Sequence, residues 1–495
     1  MMKLVNKALA VSVPALILSW ATPSLAEVVN FTLLHLNDIY EIAPVEGGTR
    51  GGLARVATIK KQLQTQNPRT YTILAGDFLS PSALGTAKVN NQPLAGQQMV
   101  AVLNQIGLDF ATFGNHEFDL PKEAFYQRLK EAKFKFFSGN VFDSQGQPFP
   151  NVNPYQIIEI KTNEGKIVKV GLIGVTINSN KKDYVTYRDA LATTKEQVKV
   201  LKERVDIIIA VTHLSITEDR QIAELVPEID VILGGHEHEN IQQWRGRDFT
   251  PIYKADANAR SVYIHNLTFD TESRNLSINA KLQPVTEAIP EDPQTAKLVN
   301  EWVQKGFNAF RAQGFSPDKK VTTTKVALDG LESHVRNQST NLTEILANSM
   351  LKEVENADLA VFNSGSIRID DVIPPGVVTE YDVIRTLPFG GKVLGVEIDG
   401  SLLEKMLIQG QVNLGRGGYL QTANVSKDEK TGKWLIGGKL LETKRNYRIA
   451  INDFLVSGQE RDLEFINLKE PGIKLITEKR DIRFVLIDGL RNSRL

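Results

Sequence analysis

Apolar runs of strand length alternate with amphipathic segments of helix length from Val28 to about Pro284. The runs most typical of buried strands lie at residues 31–36, 71–74, 167–173, 207–211 and 231–233. Between such runs, residues 52–64 and 97–106 have apolar side chains at the three- and four-residue spacing of a helix. This alternation predicts a layered α/β domain with functional loops at the carboxyl ends of the strands.

The alternation is interrupted at residues 289–293, an acidic stretch with two prolines. Residues 294–313 then form one apolar stripe of helical spacing, made by Leu298, Trp302, Phe307 and Phe310. A chain of 495 residues is too long for one ordinary core. We therefore predict a signal peptide at 1–26, an α/β domain at 27–288, a linker with a connecting helix at 289–319, and a second, smaller domain of mixed helices and strands at 320–495.

Composition narrows the class of function. The chain has 58 basic and 58 acidic residues, and this balance argues against a nucleic-acid partner. It has no cysteine, which excludes disulfides, thiolate nucleophiles and cysteine-based zinc sites together. Any nucleophile must therefore come from another residue type or from water.

The first 26 residues are typical of a secretory signal. Lys3 and Lys7 precede an apolar run at residues 8–20, and a small-x-small motif ends at Ala26. The run is shorter than the ~20 residues that span a bilayer comfortably. We expect cleavage after Ala26 and an exported protein, periplasmic or extracellular, without a membrane anchor.

Polar residues follow the predicted strands at the positions where each strand should end. They belong to the motifs HLND, LAGD, GNHEFD, VTH and GGHEH, and the candidate ligands among them are Asp38, Asp77, Asn115, His213, His236 and His238. Each motif alone has an ordinary explanation, such as a turn or a histidine bonded to the backbone. Four of the chain's seven histidines follow predicted strands in these motifs, at positions 116, 213, 236 and 238. The combined set suits a divalent cation such as Zn, Mn, Co or Mg.

In this order the motifs resemble those of the metallophosphoesterases, and within them the secreted 5′-nucleotidase family. The resemblance covers nearly the whole chain after residue 26. It implies a four-layered α/β-β-α catalytic domain, then a linking helix and a smaller α+β substrate-binding domain. It also implies two divalent metal ions bridged by Asp77. Asn115, His213 and His236 would complete one ligand shell, and Asp38 and His238 would serve the other ion.

The resemblance assigns the chemistry to a metal-activated water that attacks phosphorus. His116 is similar to the family's transition-state histidine, and Asp119 would hold it in a His–Asp dyad. Tyr40 departs from the pattern, because most of the family has a metal-binding histidine at that position. We therefore expect one ion to be weakly held, or held with an extra water. His35 is expected to be a core residue, and Glu41 to point away from the site.

The second half contains the motifs VFNSGSIR, LPFGG, GRGGYLQ and NDFLVSG, which resemble the family's substrate-binding domain. By this resemblance Asn363 and Arg368 would meet the nucleotide, and Phe389 and Phe454 would sandwich its base. Glu460 stands where an aspartate usually holds the ribose hydroxyls. A second departure is Gln338, which occupies the place of a usual arginine, with Arg336 two residues earlier.

The sequence thus predicts an exported, metal-dependent 5′-nucleotidase that converts nucleoside monophosphates to nucleoside and phosphate. A phosphodiesterase acting on 2′,3′-cyclic nucleotides, or a nucleotide-sugar hydrolase, is an alternative on the same site. A further alternative is a degenerate family member that binds a nucleotide with little turnover, suggested by Tyr40 and Gln338.

Overall fold

The computed structural model describes residues 27–162 and 164–493. The predicted signal peptide at 1–26 lies outside the described residues. Among the helices that are described, none combines the length and the apolar character needed to cross a bilayer.

Strands and helices of the first half enclose two buried sheets. The strands are β1 Val28–Leu36, β2 Thr70–Ala75, β3 Lys88–Val89, β4 Gln92–Pro93, β5 Phe110–Thr112, β6 Lys135–Phe137, β7 Val141–Asp143, β8 Val152–Asn153, β9 Tyr155–Lys161, β10 Ile167–Thr176, β11 Val185–Tyr187, β12 Ile207–His213, β13 Val231–Gly234, β14 Ile241–Arg245, β15 Thr250–Lys254, β16 Ser261–Asp270 and β17 Leu276–Pro284. The helices are α1 Leu53–Gln66, α2 Gln97–Ile106, α3 Lys122–Glu131, α4 Ala190–Leu201, α5 Ile216–Leu225 and α6 Pro293–Ala312.

The two sheets stack face to face and are covered by helices on their outer sides. One sheet has the order β17-β16-β1-β2-β5-β6-β8, and the other β14-β15-β13-β12-β10-β9. Apolar side chains of both sheets form one cluster between them. Helices α1, α2 and α3 pack on the first sheet, and α4 and α5 on the second. This confirms the predicted four-layered α/β-β-α architecture.

Parallel pairing determines where the candidate ligands meet. β1 pairs in parallel with β2, and β2 with β5, while in the other sheet β12 pairs in parallel with both β10 and β13. Strand β12 is buried along its whole length, as expected for a parallel strand covered on both faces. The carboxyl ends of these strands therefore meet at one edge of the layered sheets.

The second half has one mixed sheet and several short strands. Its strands are β18 Lys320–Thr324, β19 Leu328–Asp329, β20 Leu359–Asn363, β21 Val372–Ile373, β22 Gly376–Thr379, β23 Lys392–Asp399, β24 Leu420–Ala423, β25 Val425–Lys427, β26 Trp434–Ile436, β27 Lys439–Leu440, β28 Asn446–Asn452 and β29 Ile473–Asp481. Its helices are α7 Glu332–Val335, α8 Asn341–Glu353, α9 Glu380–Thr386, α10 Gly400–Val412 and α11 Ile482–Asn492. The main sheet has the order β24-β20-β28-β23-β29.

Helix α6 joins the cores of the two halves. It packs on α1 and α2 of the first half, and its Phe307 ring lies 4.7 Å from the ring of Tyr381 in α9. One apolar cluster therefore continues from the outer helices of the first half into the second. The predicted helix at 294–313 agrees with the observed bounds within one residue.

Candidate metal centre

The six candidate ligands lie in the loops that follow β1, β2, β5 and β13, or at the end of β12. Donor atoms of Asp38, Asp77 and His213 lie within 4.8 Å of one another. Oδ2 of Asp77 is 3.2 Å from Nε2 of His213, and Oδ1 of Asp38 is 3.4 Å from Nε2 of His238. The two sheets thus bring side chains from distant parts of the sequence into one cluster.

The backbone presents these ligands in a conformation that most residues avoid. Asp38, Asp77, His236 and His238 have φ angles of 52°, 56°, 90° and 61°. Left-handed backbone at residues other than glycine costs on the order of 1–3 kcal/mol each and is concentrated at functional sites. Gly114 is needed for a different reason, since a Cβ there would lie 2.0 Å from Oδ1 of Asp77.

Each aspartate divides its two oxygens between the loop and the cluster. Oδ2 of Asp38 accepts a hydrogen bond from the backbone N–H of His236 at 2.8 Å, while Oδ1 faces His238. Oδ1 of Asp77 accepts from the N–H of His116 at 2.7 Å, while Oδ2 faces His213. The carboxylates therefore fix the strained loops and point their remaining oxygens at a common position.

The cluster has the chemistry of a cation site. Nδ1 of His213 donates to the carbonyl of Ala75 at 2.8 Å, which leaves Nε2 as the coordinating atom. Within the described residues, Nε2 of His213 and Oδ1 of Asn115 are buried without a hydrogen-bond partner. Burial alone would lower the pKa of His213, but the charges of Asp77 and Asp38 raise it to about 9. The site thus requires positive charge, and its donor set fits a divalent cation.

Tyr40 reaches the cluster of candidate ligands. Its hydroxyl oxygen lies 2.9 Å from Nε2 of His238, 3.2 Å from Oδ2 of Asp77 and 3.3 Å from Oδ1 of Asp38. Burial, followed by the charges of Asp77 and Asp38, raises the pKa of Tyr40 well above its usual range, so the hydroxyl has its proton. The phenol oxygen thus stands within the ligand cluster.

Glu41 and His35, which flank Tyr40 in the sequence, lie outside the cluster as the sequence predicted. Glu41 turns away from the cluster and accepts a hydrogen bond from the Tyr381 hydroxyl at 3.3 Å. His35 is buried in the core, with Nε2 3.1 Å from the carbonyl of Gly234.

His116 and Asp119 form the expected dyad beside the cluster. Nδ1 of His116 donates to Oδ2 of Asp119 at 2.8 Å, and Asn180 donates to the other oxygen at 2.8 Å. Burial would raise the pKa of Asp119, but His116 and Arg368 are among the groups that lower it to about 2, so Asp119 is an anion. Nη2 of Arg368 lies 3.3 and 3.4 Å from the two ring nitrogens of His116.

Two positioning contacts were not anticipated from the sequence. Nδ1 of His238 donates to Oδ2 of Asp370 at 2.6 Å, so a carboxylate of the second half orients a ligand of the first. Glu117 accepts hydrogen bonds from the backbone N–H groups of Asp77, Phe78 and Leu79 at 3.0, 2.7 and 3.1 Å. Glu117 stands inside the motif GNHEFD, and Asp370 lies two residues after VFNSGSIR. This proximity is the signal that could have identified them.

A buried ion network supports the histidine loop from behind. Lys254 bonds Glu237, the residue between His236 and His238, and lies 2.7 Å from Oδ2 of Asp219. The Lys254 and Asp219 side chains are 1% and 0% exposed. This network holds the loop against the end of β15.

A cleft of about 520 Å³ lies between the two halves. From the first half it is lined by Asp77, Asn115, His116, Asp119, His236 and His238, among others. From the second half Glu460 and Arg336 are among its lining residues. Gln338 is exposed and is not among the lining residues, whereas Arg336 lines the cleft.

The remaining predicted nucleotide contacts are dispersed. Asn363 is 2% exposed and donates to Glu460 at 2.7 Å, so it lies behind the cleft wall. Phe389 and Phe454 are 57% and 41% exposed at the surface. Phe389 borders a neighbouring cavity of about 320 Å³ that also includes Asp119 in its wall.

Comparison with known proteins agrees with this geometry. The calcineurin-like phosphoesterase model matches residues 31–240, and the model of the 5′-nucleotidase C-terminal domain matches residues 320–468. A 5′-nucleotidase of Vibrio cholerae is 26% identical over 490 residues, covering 86% of this chain and 84% of that protein.

Two further relatives differ in how much of them the chain spans. The trifunctional nucleotide phosphoesterase protein YfkN of Bacillus subtilis is 26% identical over 497 residues, which are 87% of this chain but only 32% of that protein. The crystal structure of a 5′-nucleotidase precursor from Thermus thermophilus superimposes with a TM-score of 0.74 at 24% identity, covering 94% of this chain and 96% of that one. The protein therefore belongs to the 5′-nucleotidase family of phosphoester hydrolases, with a calcineurin-like phosphoesterase domain followed by a 5′-nucleotidase C-terminal domain.

Proposed function

We propose that this protein is an exported, metal-dependent 5′-nucleotidase that hydrolyses nucleoside 5′-monophosphates to nucleoside and phosphate. The observation that supports this most directly is the contact between Arg368 of the second half and His116 beside the ligand cluster. This contact brings a guanidinium within 3.3 Å of His116 and so supports a shared role of Arg368 and the His116–Asp119 pair in binding a phosphate group. We further infer a catalytic domain at 27–288, a linker at 289–319 and a nucleotide-binding domain at 320–495.

The cation ligands divide into two sets that share Asp77. Asn115, His213 and His236 would hold one ion, and Asp38 and His238 the other. Divalent cations bound there would act as Lewis acids on phosphoryl oxygens and would activate water for attack on phosphorus.

The chain's own residues bind and orient the phosphate. Asp119 accepts from Nδ1 of His116 and orients the ring, so that Nε2, when it has a proton, would donate to a phosphoryl oxygen. Arg368 adds charge-assisted donors, and within the described residues its buried Nε has no hydrogen-bond partner. Arg336 provides a second guanidinium on the cleft wall, although Glu332 pairs with it at 2.5 Å.

The second half would recognise the nucleoside. Glu460, held by Asn363, would accept hydrogen bonds from ribose hydroxyls at the cleft wall. The exposed rings of Phe389 and Phe454 would stack on the base, an interaction that tolerates different bases.

The decisive experiment compares His116→Ala with His334→Ala in purified residues 27–495. His334 bonds Asp329 at 2.6 Å and so forms a second His–Asp pair that does not line the cleft. With Mn²⁺, Co²⁺, Zn²⁺ or Mg²⁺, we expect the parent and His334→Ala to hydrolyse AMP. We expect His116→Ala to lose on the order of 10²–10⁴-fold in kcat, with an unchanged circular dichroism spectrum. Full activity of His116→Ala would refute the assigned role.

A diesterase is the second candidate, because the cavity of about 320 Å³ beside Asp119 offers room for another substituent on phosphorus. Rates on AMP, 2′,3′-cyclic AMP and UDP-glucose separate the monoesterase from the diesterase and the nucleotide-sugar hydrolase. Nucleotide binding with negligible turnover of all three would identify a degenerate binding protein.

A further inference from the structure

We propose that Arg385 is a positioning residue that latches the second half of the protein onto the first. It acts through two carboxylates, Glu41 of the first half and Asp371 of the second, and these three side chains are what we call the latch. The latch would keep Arg368 against His116, although Arg385 itself does not line the cleft. This inference rests on the proposed function and deepens it, because it concerns how the phosphate-binding groups are brought together.

Arg385 is buried where the two halves meet. Its Nη2 donates to Oδ2 of Asp371 at 2.9 Å, and its Nε lies 4.0 Å from Oε1 of Glu41. The side chains of Arg385, Glu41 and Asp371 are 8%, 9% and 1% exposed. Asp382, one turn earlier on α9, lies 3.9 Å from Nη1. One buried cation therefore bridges carboxylates of both halves.

Two hydrogen bonds cross the same boundary beside Arg385. The hydroxyl of Tyr381 donates to Oε2 of Glu41 at 3.3 Å, and the backbone N–H of Glu46 donates to Oδ2 of Asp371 at 3.3 Å. Glu41 and Glu46 both lie in the segment between β1 and α1. The latch thus joins the second half to one particular loop of the first.

The latch is connected to the candidate dyad through a short length of backbone. Asp371 lies three residues after Arg368, whose Nη2 is 3.3 Å from Nδ1 of His116. The backbone N–H of Arg368 donates to the carbonyl of Thr386, the residue after Arg385, at 2.9 Å. Arg368 is therefore fixed through Asp371 on one side and through α9 on the other.

Loss of the cation would favour separation of the two halves. Removing one partner of a buried ion pair leaves the other charge uncompensated, which is strongly unfavourable. Water can solvate Glu41 and Asp371 if the surfaces that cover them move apart. Arg385→Met should therefore populate arrangements in which Arg368 no longer reaches His116.

The first measurement is the distance between the halves in the purified protein. The chain has no cysteine, so Lys199→Cys on α4 and Lys352→Cys on α8, both exposed, supply two sites for spin labels. Pulsed electron paramagnetic resonance gives the distribution of distances. We expect one narrow distribution in the parent and in Arg445→Met, and a broadened or second one in Arg385→Met. Arg445 is a matched control, because it pairs with Asp358 at 2.6 Å within the second half.

The second measurement is AMP hydrolysis by the same proteins without labels. Arg385→Met should lower kcat/KM on the order of 10²-fold, since a misplacement of about 1 Å at a catalytic site can have that effect. Arg385→Lys should recover part of the loss, because it restores the charge but not the planar fork. If the two residues act together, Glu41→Gln should have little further effect in the Arg385→Met background.

Either measurement can overturn the latch. Two separate distances in the parent, or an unchanged narrow distribution in Arg385→Met, would refute it. Additive losses in Glu41→Gln and Arg385→Met would show that these residues do not act as a unit. If Arg385→Met does not fold, as judged by circular dichroism, Arg385→Lys takes its place in both measurements. The distances do not depend on turnover, so a parent inactive on AMP would refute the proposed function while the distances alone decide the latch.

Discussion

Nδ1 of His238 lies 2.6 Å from Oδ2 of Asp370, so a residue of the second half fixes the orientation of a candidate ligand in the first half. The other oxygen of Asp370 accepts the backbone N–H of Glu332 at 2.8 Å, which holds the carboxylate in position. The candidate metal centre is therefore completed only where the two halves touch.

Asp370→Asn should weaken metal binding without unfolding either half. The amide keeps the size of the side chain but removes the charge that holds Nδ1–H of His238. The loss of such an outer partner typically lowers metal affinity about 10–100-fold. Competition with a fluorescent chelator measures it. Asp318→Asn, at an exposed site, is the control, and equal affinities in the two variants would contradict the assignment.

Arg368→Ala should lower kcat for AMP on the order of 10²–10³-fold, since it removes donors to the phosphoryl oxygens at the dyad. Arg368→Lys should recover only part of the loss, because an ammonium lacks the planar fork of a guanidinium. Steady-state kinetics test this order of the three proteins. If Arg368→Ala turned over AMP like the parent, the contact with His116 would have no role in phosphate binding.

Phe389→Ala and Phe454→Ala should each raise KM for AMP, by an amount equivalent to about 1–3 kcal/mol of lost base stacking. Hydrolysis of p-nitrophenyl phosphate, which has no base, should be unaffected and serves as the internal control. Equal effects on both substrates would place these rings in the catalytic site instead of the base site.

Lys254→Met should destabilise the protein by about 3–5 kcal/mol, because it leaves the buried Asp219 and the partly buried Glu237 without their cation. Lys392→Met is the matched control, since Lys392 pairs with Glu478 at a side-chain exposure of 53% for both residues. That variant should change stability by less than about 1 kcal/mol. Urea unfolding measures both, and similar midpoints would contradict the role of burial.

Acid should destabilise the fold through two core histidines. Burial lowers the pKa of His35 to about 4, and burial followed by His35 lowers the pKa of His265 well below its usual value. Both histidines bind protons more readily when unfolded, so their stabilising effect is present above pH ~6.5 and is lost as the pH falls from there towards 4. His265→Leu should reduce the pH slope of the unfolding free energy by up to about 1.4 kcal/mol per pH unit. An unchanged slope would exclude His265 as a source.

The spacing of apolar residues predicted the strands and helices of the first half well, because buried strands are short continuous apolar runs whereas amphipathic helices repeat every three to four residues. The helix expected at residues 97–106 has those bounds, and the strand-end motifs containing Asp38 and His213 meet as parallel pairing requires. The contacts Asp370–His238 and Arg368–His116 were not predicted. They depend on how two separately patterned halves face each other, and no local period encodes that. The substitution at Tyr40 was visible, but the position of its hydroxyl was not.

The division of oxygens in Asp38 and Asp77 also limits how the family can diverge. Oδ1 of Asp38 faces His238, and Oδ2 accepts a hydrogen bond from the backbone N–H of His236. A mutation that retunes the choice of cation at this position therefore also releases a loop held at a φ of 90°. A substitution of Asp38 would therefore change the ligand and the loop conformation together. The hydroxyl of Tyr40 bonds no backbone group, so a substitution there could change cation specificity and leave the loop conformation intact.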